Sequence, residues 1–164
     1  MDHLLTDEQL MLKDMVSKLG EEKLAPIADK IDKEHYFPKE IVDELGELGL
    51  MGIAYPSDYG GSDMDYVSYF LAVEELSRWC ASTGVIVSAH SSLVCDPIFR
   101  FGTEEQKQMY LPDLLSGNKI GAFSLTEAGA GSDAGATKTT AKKEGDKWIL
   151  NGSKIFATNG KEAD

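Results

Sequence analysis

Cysteine, histidine and basic residues are scarce in this 164-residue sequence, and each shortage excludes a class of function. The two cysteines, Cys80 and Cys95, have neither a CxxC partner nor a histidine cluster nearby, which indicates buried thiols rather than a metal site. Only 16 basic residues stand against 28 acidic ones, and the net charge of −12 repels nucleic acids and anionic lipids. No apolar run approaches the roughly 20 residues of a membrane span. We therefore expect no metal, no nucleic-acid partner and no membrane segment.

The composition is that of a soluble globular domain, with 42% hydrophobic and 27% charged residues. The opening residues, MDHLLTDE, are acidic and resemble neither a secretory signal nor an arginine-rich transit peptide. We expect a cytoplasmic protein.

Hydrophobic periodicity divides the chain into a helical part and a strand-rich part. Thr6 and Thr103 each precede a glutamine by three residues, the capping-box pattern that opens a helix. Apolar residues recur at helical spacing up to about residue 115. We predict helices over 6–19, 21–33, 38–49, 64–79, 83–100 and 103–115, with interruptions possible at Gly20 and Pro97.

From residue 119 the period changes to that of strands, which we predict over 119–126, 137–143 and 147–150. The predicted fold class is α+β, an N-terminal all-α helical bundle followed by the truncated start of an antiparallel β-domain. Residues 1–118 form the first domain and residues 119–164 the second. Three short strands would leave an unpaired sheet edge near the Asn159-Gly160 turn, so we expect the β-domain to be incomplete here.

Two segments carry the residues for a ligand site. Residues 120–133 end in a loop of glycines, alanines and hydroxyls, so its backbone amides are open to a flat or anionic ligand. Residues 154–160, KIFATNG, follow about twenty residues later and are interpreted as a facing surface. We call residues 120–133 the first wall and residues 154–160 the second wall.

The walls offer the groups that a flavin needs. Thr126 provides a backbone N–H and a hydroxyl for the carbonyl edge of the ring, and Thr158 provides a hydroxyl for N5. Phe156, two residues before Thr158 on the same face of a strand, provides an apolar plate. Ser132, beside Gly131, suits a phosphate.

Other polar residues have structural interpretations. Glu127 and Asp133 flank the glycine loop, where carboxylates cap free amides, although a paired-carboxylate hydrolase would use the same residue types. Glu74 and Glu75 are interpreted as solvated charges on a helix. No histidine lies in a catalytic motif, and each is expected to be exposed or structurally satisfied. The histidines are His3, His35 and His90.

The wall sequences resemble two motifs of one enzyme family. Residues 126–133, TEAGAGSD, resemble the TEPGAGSD motif of acyl-CoA dehydrogenases, and residues 151–160, NGSKIFATNG, resemble that family's NGxKxWITNG. Further landmarks are LTDEQ at residues 5–9, YGG at 59–61 and FGTEEQK at 101–107. The resemblance extends over the whole chain.

The resemblance implies an FAD-dependent oxidoreductase of fatty acid metabolism, a flavoprotein that oxidises the α–β bond of an acyl-CoA thioester. Reduced FAD would pass electrons to an electron-transferring flavoprotein, and the family suggests a homotetramer. The general look is that of a bacterial short-chain, butyryl-type enzyme. In the family, residues 85–98 would line the end of the acyl pocket, here with Val87, Ser91, Leu93 and Val94.

By residue match, the first wall would run along the flavin ring and reach the pyrophosphate, while the second wall would cover the ring and bond N5. Ser132 would also lie near the CoA part of the substrate. Ala128, Phe156 and Ala157 depart from the family's Pro, Trp and Ile. The implied cofactor residues are Phe123, Ser124, Leu125, Thr126, Gly131, Ser132, Phe156, Ala157 and Thr158.

The family's usual base is a glutamate in a C-terminal helical domain, and nothing in these residues matches its context. We therefore assign no catalytic residue and expect the 164 residues alone to neither retain FAD nor turn over. Two alternatives stay open. One is a flavin monooxygenase or acyl-CoA oxidase on the same scaffold. The other is a non-catalytic helical interaction module, in which Thr126 and Thr158 would face solvent on unrelated surfaces.

Overall fold

The computed structural model describes residues 2–164, and helices dominate them as far as residue 115. Two π-helical stretches, Gly20–Leu24 and His90–Cys95, continue helices without a break in the backbone path. Single 3₁₀ turns lie at Asp2–Leu4, Ser57–Tyr59 and Ala134–Ala136. The α-helices are α1 Asp7–Leu19, α2 Ala28–Glu34, α3 Lys39–Glu47, α4 Tyr66–Trp79, α5 Ala81–Ala89, α6 Asp96–Phe101 and α7 Glu104–Leu115.

Both capping boxes are confirmed. The Gln9 N–H donates to the Thr6 hydroxyl at 3.2 Å, and the Gln9 side chain accepts the Thr6 N–H at 3.0 Å. Thr103 and Gln106 exchange the same pair of bonds at the start of α7, at 3.3 and 2.8 Å. Each box satisfies two amides that would otherwise lack a partner in the first helical turn.

The single helix predicted over 21–33 is wrong. The π-helical stretch Gly20–Leu24 ends in a turn, and α2 begins only at Ala28. Pro26 lies in that turn, because within a helix its ring would clash with the carbonyl four residues earlier and it has no N–H to bond that carbonyl. Gly20, where an interruption was possible, continues the helix. A Cβ there would overlap the Trp79 ring, so the glycine allows α1 and α4 to approach closely.

Residues 81–101 form one continuous helical run, with the π-helical stretch His90–Cys95 between α5 and α6. Pro97 does not break it. The proline occupies the first turn of α6, where a missing N–H costs least, and Gly102 ends the helix as the sequence indicates.

The main core lies where α4 packs against α1 and α5. The buried face of α4 includes Ser68, Ala72 and Leu76, whereas Phe70 is exposed. Glu75 shares the buried face and is only 5% exposed, so its interpretation as a solvated charge is wrong, although Glu74 is exposed. The fully buried side chains include Val16, Leu24, Val42, Leu45, Leu50, Met51, Leu76 and Val87.

The strand-rich part contains two antiparallel strands among the described residues, β1 Thr140–Glu144 and β2 Lys147–Asn151. Lys142 pairs with Ile149 in their register, and Gly145 makes the turn with a φ of 62°. Residues 119–126 are not a strand of this sheet, so the expectation of three or four strands is not met. The α+β class is confirmed. Within residues 2–164, no helix is both long and apolar enough to cross a bilayer.

Candidate functional site

The first wall leaves α7 as an extended segment with a bare, open face. Phe123, Ser124 and Leu125 are exposed, and Thr126 is half-buried. Among the described residues, none accepts a hydrogen bond from the backbone N–H groups of residues 122–126. The segment therefore presents free amide donors beside apolar side chains.

The glycine loop of the first wall turns sharply and stays open. Glu127 and Ala130 exchange two backbone hydrogen bonds of 3.1 Å, which close the turn. Gly131 and Ser132 lie just beyond it and are exposed. A Cβ on Gly129 or Gly131 would meet no atom within 4 Å, so the space over the loop is free for a ligand.

The second wall is not the strand that was predicted. β2 ends at Asn151, residues 152–157 have no ladder partner, and a turn begins at Thr158. Phe156 has a φ of 60°, a left-handed conformation that is strained for an aromatic residue. It therefore does not share a strand face with Thr158. Its ring is 86% exposed, which leaves a large apolar plate open to a ligand, while Ala157 and Thr158 are half-buried.

Three polar contacts join the two walls around Thr126. The Ile155 N–H donates to the Thr126 carbonyl at 2.8 Å. The Lys154 ammonium donates to the Leu125 carbonyl at 2.9 Å and to the Glu127 carboxylate at 2.8 Å. The structure therefore brings Thr126 into direct contact with Ile155, the residue before Phe156. Thr126 and Thr158 are both half-buried, whereas an interaction module predicts that they face bulk solvent.

Glu127 has the structural role that the sequence indicates. Besides Lys154, its carboxylate accepts the Lys138 N–H at 2.7 Å and, from Thr139, the N–H at 3.0 Å and the hydroxyl at 2.6 Å. Hydrogen bonds from Lys154, then from Thr139 and Lys138, hold the pKa of the Glu127 carboxyl well below its ordinary range. A carboxylate so occupied is not a general acid. No hydrogen bond reaches the Asp133 side chain within the described residues, so its predicted capping is not seen.

The sequence did not indicate what joins the walls. Lys154 is the Lys of the NGxK motif and has only uncharged neighbours there. An isolated cation of this kind was the feature of the sequence that could have indicated its role. Asn159 was also missed, although its amide donates to the Ile86 carbonyl at 3.4 Å and to the Gly121 carbonyl at 3.3 Å. Both residues donate to backbone carbonyls, and Lys154 also to the Glu127 carboxylate, contacts that a sequence pattern does not display.

The histidines and cysteines stay outside the open face. His90 is fully buried and hydrogen-bonded, while His3 and His35 are exposed, which confirms their interpretation. Cys80 and Cys95 are buried free thiols, and burial raises the pKa of Cys95 to about 12. Within residues 2–164, no three His, Cys, Asp or Glu side chains converge as metal ligands would.

An open cleft of about 490 Å³ lies beside the second wall. Thr158 and Asn159 line one side, and α5 contributes Val85 and Ile86. Of the residues named for the acyl pocket, Leu93 is exposed, Val94 is half-buried and Val87 is buried in the helical core. Ser91 is also buried, and it lines a separate cavity of about 230 Å³ together with Ser88 and Tyr69. The α5 side of the cleft beside Thr158 also includes Ala81, and Val85 is its large exposed apolar side chain.

Family models match nearly the whole chain. Residues 6–118 match the acyl-CoA dehydrogenase N-terminal domain, and residues 122–164 match the acyl-CoA dehydrogenase middle domain. The short-chain specific acyl-CoA dehydrogenase of Clostridium acetobutylicum is 52% identical over 164 residues, which are 100% of this chain and 43% of that protein. The chain thus spans less than half the length of this curated relative.

Solved structures of similar proteins agree in fold. Butyryl-CoA dehydrogenase from Megasphaera elsdenii superposes with a TM-score of 0.93 and 46% identity, over 98% of this chain and 43% of that one. A chain in a structure described as the electron-transferring flavoprotein of Acidaminococcus fermentans gives 0.95 and 53%, over 100% and 43%. An acyl-CoA dehydrogenase from Bacillus anthracis complexed with FAD gives 0.92 and 36%, over 98% and 28%.

Proposed function

Because this chain belongs to the acyl-CoA dehydrogenase family, we propose that the protein containing it is an FAD-dependent enzyme that introduces an α,β double bond into a short-chain acyl-CoA thioester. The observation that carries the proposal is the direct hydrogen bond of 2.8 Å between the two walls, from Ile155 to Thr126. It brings together the segments that resemble the family's two flavin motifs.

The residues present fit the cofactor. A flavin ring has polar edges and apolar faces, and the first wall offers free N–H donors at residues 122–126 beside exposed Leu125. The exposed Phe156 ring supplies an apolar plate. The open space over Gly129 and Gly131 leaves room for the phosphate-bearing tail.

The roles of this chain are to hold and to orient. Thr126 would bind the carbonyl edge of the ring through its N–H and hydroxyl, and Thr158 would bond N5. Ser132 would hold the pyrophosphate and contact the CoA part of the substrate. When bound, FAD accepts the hydride that leaves the β carbon. The remaining proposed ring and tail contacts are Phe123, Ser124, Leu125, Gly131, Phe156 and Ala157.

Removal of the α proton is assigned to no residue of this chain. Glu127 is the carboxylate that lies between the walls, and it already accepts hydrogen bonds from Lys138, Thr139 and Lys154. Its proton affinity is therefore too low for a base that must take a proton from carbon.

The short-chain preference, the electron acceptor and the assembly are further parts of the proposal. The similar Clostridium acetobutylicum protein is named as short-chain specific, and the cleft beside Thr158 exposes the apolar Val85 that an acyl chain would contact. We propose an electron-transferring flavoprotein as the acceptor and a homotetramer as the assembly. A cytoplasmic location stays a prediction from the sequence.

The test is the visible absorbance of the purified full-length protein. We expect flavin bands that bleach when butyryl-CoA is added without oxygen, and slow reoxidation by air in a stopped-flow experiment. A colourless protein after incubation with FAD, or bands unchanged by every acyl-CoA tried, would contradict the proposal. Rapid reoxidation by air would favour the oxidase or monooxygenase alternative.

A matched pair of variants tests the contact residues. Phe156→Ala should weaken FAD binding about tenfold, since an aromatic plate contributes on the order of 1 kcal/mol beyond its buried area. Trp148→Ala removes an exposed aromatic side chain from β2, outside both walls, and should leave FAD affinity unchanged. Equal affinity of the two variants would remove Phe156 from the site.

A further inference from the structure

Gly121, near the start of the first wall, is held on three sides. Its N–H donates to the His90 ring at 3.1 Å, and its carbonyl accepts the Asn159 amide at 3.3 Å. Its Cα lies so close to Val94 that a Cβ would overlap that side chain. These contacts therefore fix the position and orientation of Gly121 and its distance from the helical stretch that contains His90 and Val94.

The tautomer of His90 follows from its partners. A backbone N–H only donates, so Nδ1 must be the acceptor of the Gly121 bond. In the neutral ring the proton then lies on Nε2, which donates to the Leu114 carbonyl at 2.9 Å. The ring is fully buried, so a neutral imidazole with both nitrogens satisfied is the stable form. His90 thereby ties the C-terminal turn of α7 to the first wall.

Asn159 provides the matching tie for the second wall. Its amide donates to the Ile86 carbonyl of α5 and to the Gly121 carbonyl, and it directly follows Thr158. His90 begins the π-helical stretch that continues α5. Both walls are therefore hydrogen-bonded to the same helical run. Gly121 takes part in both sets of contacts, because it bonds His90 and Asn159.

Hydrogen bonds to a backbone N–H constrain the orientation of the peptide, which apolar packing does not. A segment held by packing alone can slide or rotate, whereas a bonded N–H and C=O fix the plane of the peptide. Phe123 follows two residues later, so a rotation at Gly121 changes where the donors of residues 122–126 point. His90 lies behind the wall and does not reach its open face.

We propose that His90 is a positioning residue for the cofactor: through Gly121 it sets the orientation of the first wall, and with Asn159 its register against the second. This inference rests on the proposed function, since the ligand that benefits is FAD. It predicts that any side chain at position 90 that accepts the Gly121 N–H preserves FAD binding, even when it no longer donates to the Leu114 carbonyl.

Two variants of the full-length protein separate positioning from packing. His90→Asn places an oxygen near Nδ1 and keeps an acceptor for Gly121, but loses the donor to Leu114. His90→Gln places its amide near Nε2 and keeps that donor, but loses the acceptor. His3→Asn is the control, because His3 is exposed in the 3₁₀ turn Asp2–Leu4, outside both walls and outside the cleft beside Thr158.

We expect FAD, titrated into the apo-protein by flavin fluorescence, to bind His90→Gln about tenfold more weakly than the wild type. That factor corresponds to one buried amide left without an acceptor. His90→Asn should stay within about threefold of the wild type. Hydrogen exchange of the Gly121 amide in the apo-protein should speed up in His90→Gln and not in His90→Asn or His3→Asn.

The outcomes separate two failures. Equal weakening in His90→Asn and His90→Gln would overturn the positioning role and leave His90 as a packing residue. A wild type that binds no FAD would contradict the proposed function. The difference in hydrogen exchange between His90→Gln and His90→Asn would still report on the Gly121 contact. If His90→Gln does not fold, exchange of the Gly121 amide in the wild type decides: exchange as fast as that of the free Ser124 amide overturns the proposal.

Discussion

Replacing Gly121 by alanine tests the tightest contact of the first wall. The residue is buried, and a Cβ would meet three atoms of the Val94 side chain closer than carbon atoms normally approach. Gly121 lies outside the left-handed region, so the backbone itself accepts alanine. The cost therefore comes from the clash alone.

Two effects of opposite sign decide the magnitude. Overpacking a tight contact costs about 1–3 kcal/mol. The loss of glycine's freedom in the unfolded chain returns about 0.4–1 kcal/mol. The clash wins, and we expect Gly121→Ala to lower the free energy of unfolding by about 1–2 kcal/mol. Gly129→Ala is the matched control, because its Cβ meets nothing within 4 Å, and it should be neutral or slightly stabilising.

Urea unfolding of the chain, followed by circular dichroism, measures both free energies. A double-mutant cycle with Val94→Ala then identifies the cause. Val94→Ala alone should cost about 1 kcal/mol for its lost methyl groups. Val94→Ala removes the contacts with the two Cγ atoms but leaves the Cβ of residue 94 at 2.9 Å from the added Cβ, so Gly121→Ala should cost less in the Val94→Ala background than in the wild type. Strictly additive costs, or a Gly121→Ala variant as stable as the wild type, would refute the clash.

Two further predictions concern charge. Burial lowers the pKa of His90, opposed only by its bond to Leu114, so the unfolded chain binds a proton that the folded chain refuses. Stability should therefore fall as pH drops below about 6.5, the ordinary histidine value, and the urea midpoint of His90→Asn should fall less steeply from pH 7 to 5; parallel slopes would contradict this. The pKa of Glu127 is lowered, so its contribution is complete above the ordinary glutamate range and is lost on acidification. Glu127→Gln at pH 7 should speed hydrogen exchange of the Lys138 and Thr139 amides, and unchanged exchange would show that the carboxylate is dispensable.

The features predicted correctly from the sequence are those set by neighbours along the chain. Both capping boxes depend on residues three positions apart, so Thr6 and Thr103 mark the helix starts correctly. Gly102 ends α6 for an equally local reason. The residues of the two walls were proposed from small side chains and hydroxyls, which permit close approach of a ligand. The structure brings the two segments into contact, and their role in binding stays a prediction.

The features missed depend on contacts between distant segments. Gly20 continues a helix because Trp79 packs against it, and no local pattern reveals that neighbour. Glu75 is buried because α4 presents that face to the core, although a carboxylate is rarely found there. The left-handed Phe156 breaks a pattern that looked like a strand. Its strain persists only because surrounding contacts fix the segment, and those contacts come from the first wall.

The two walls are held before any ligand arrives. Glu127 and Lys154 join them at one end of the open face, and Asn159 joins them through Gly121 at the other. A site whose separation is fixed by protein bonds spends little binding energy on ordering its own segments. Under the proposed function, this arrangement accounts for the exposed and strained Phe156: the residues before it make the contacts between the walls, and its side chain is left free for the proposed flavin ring.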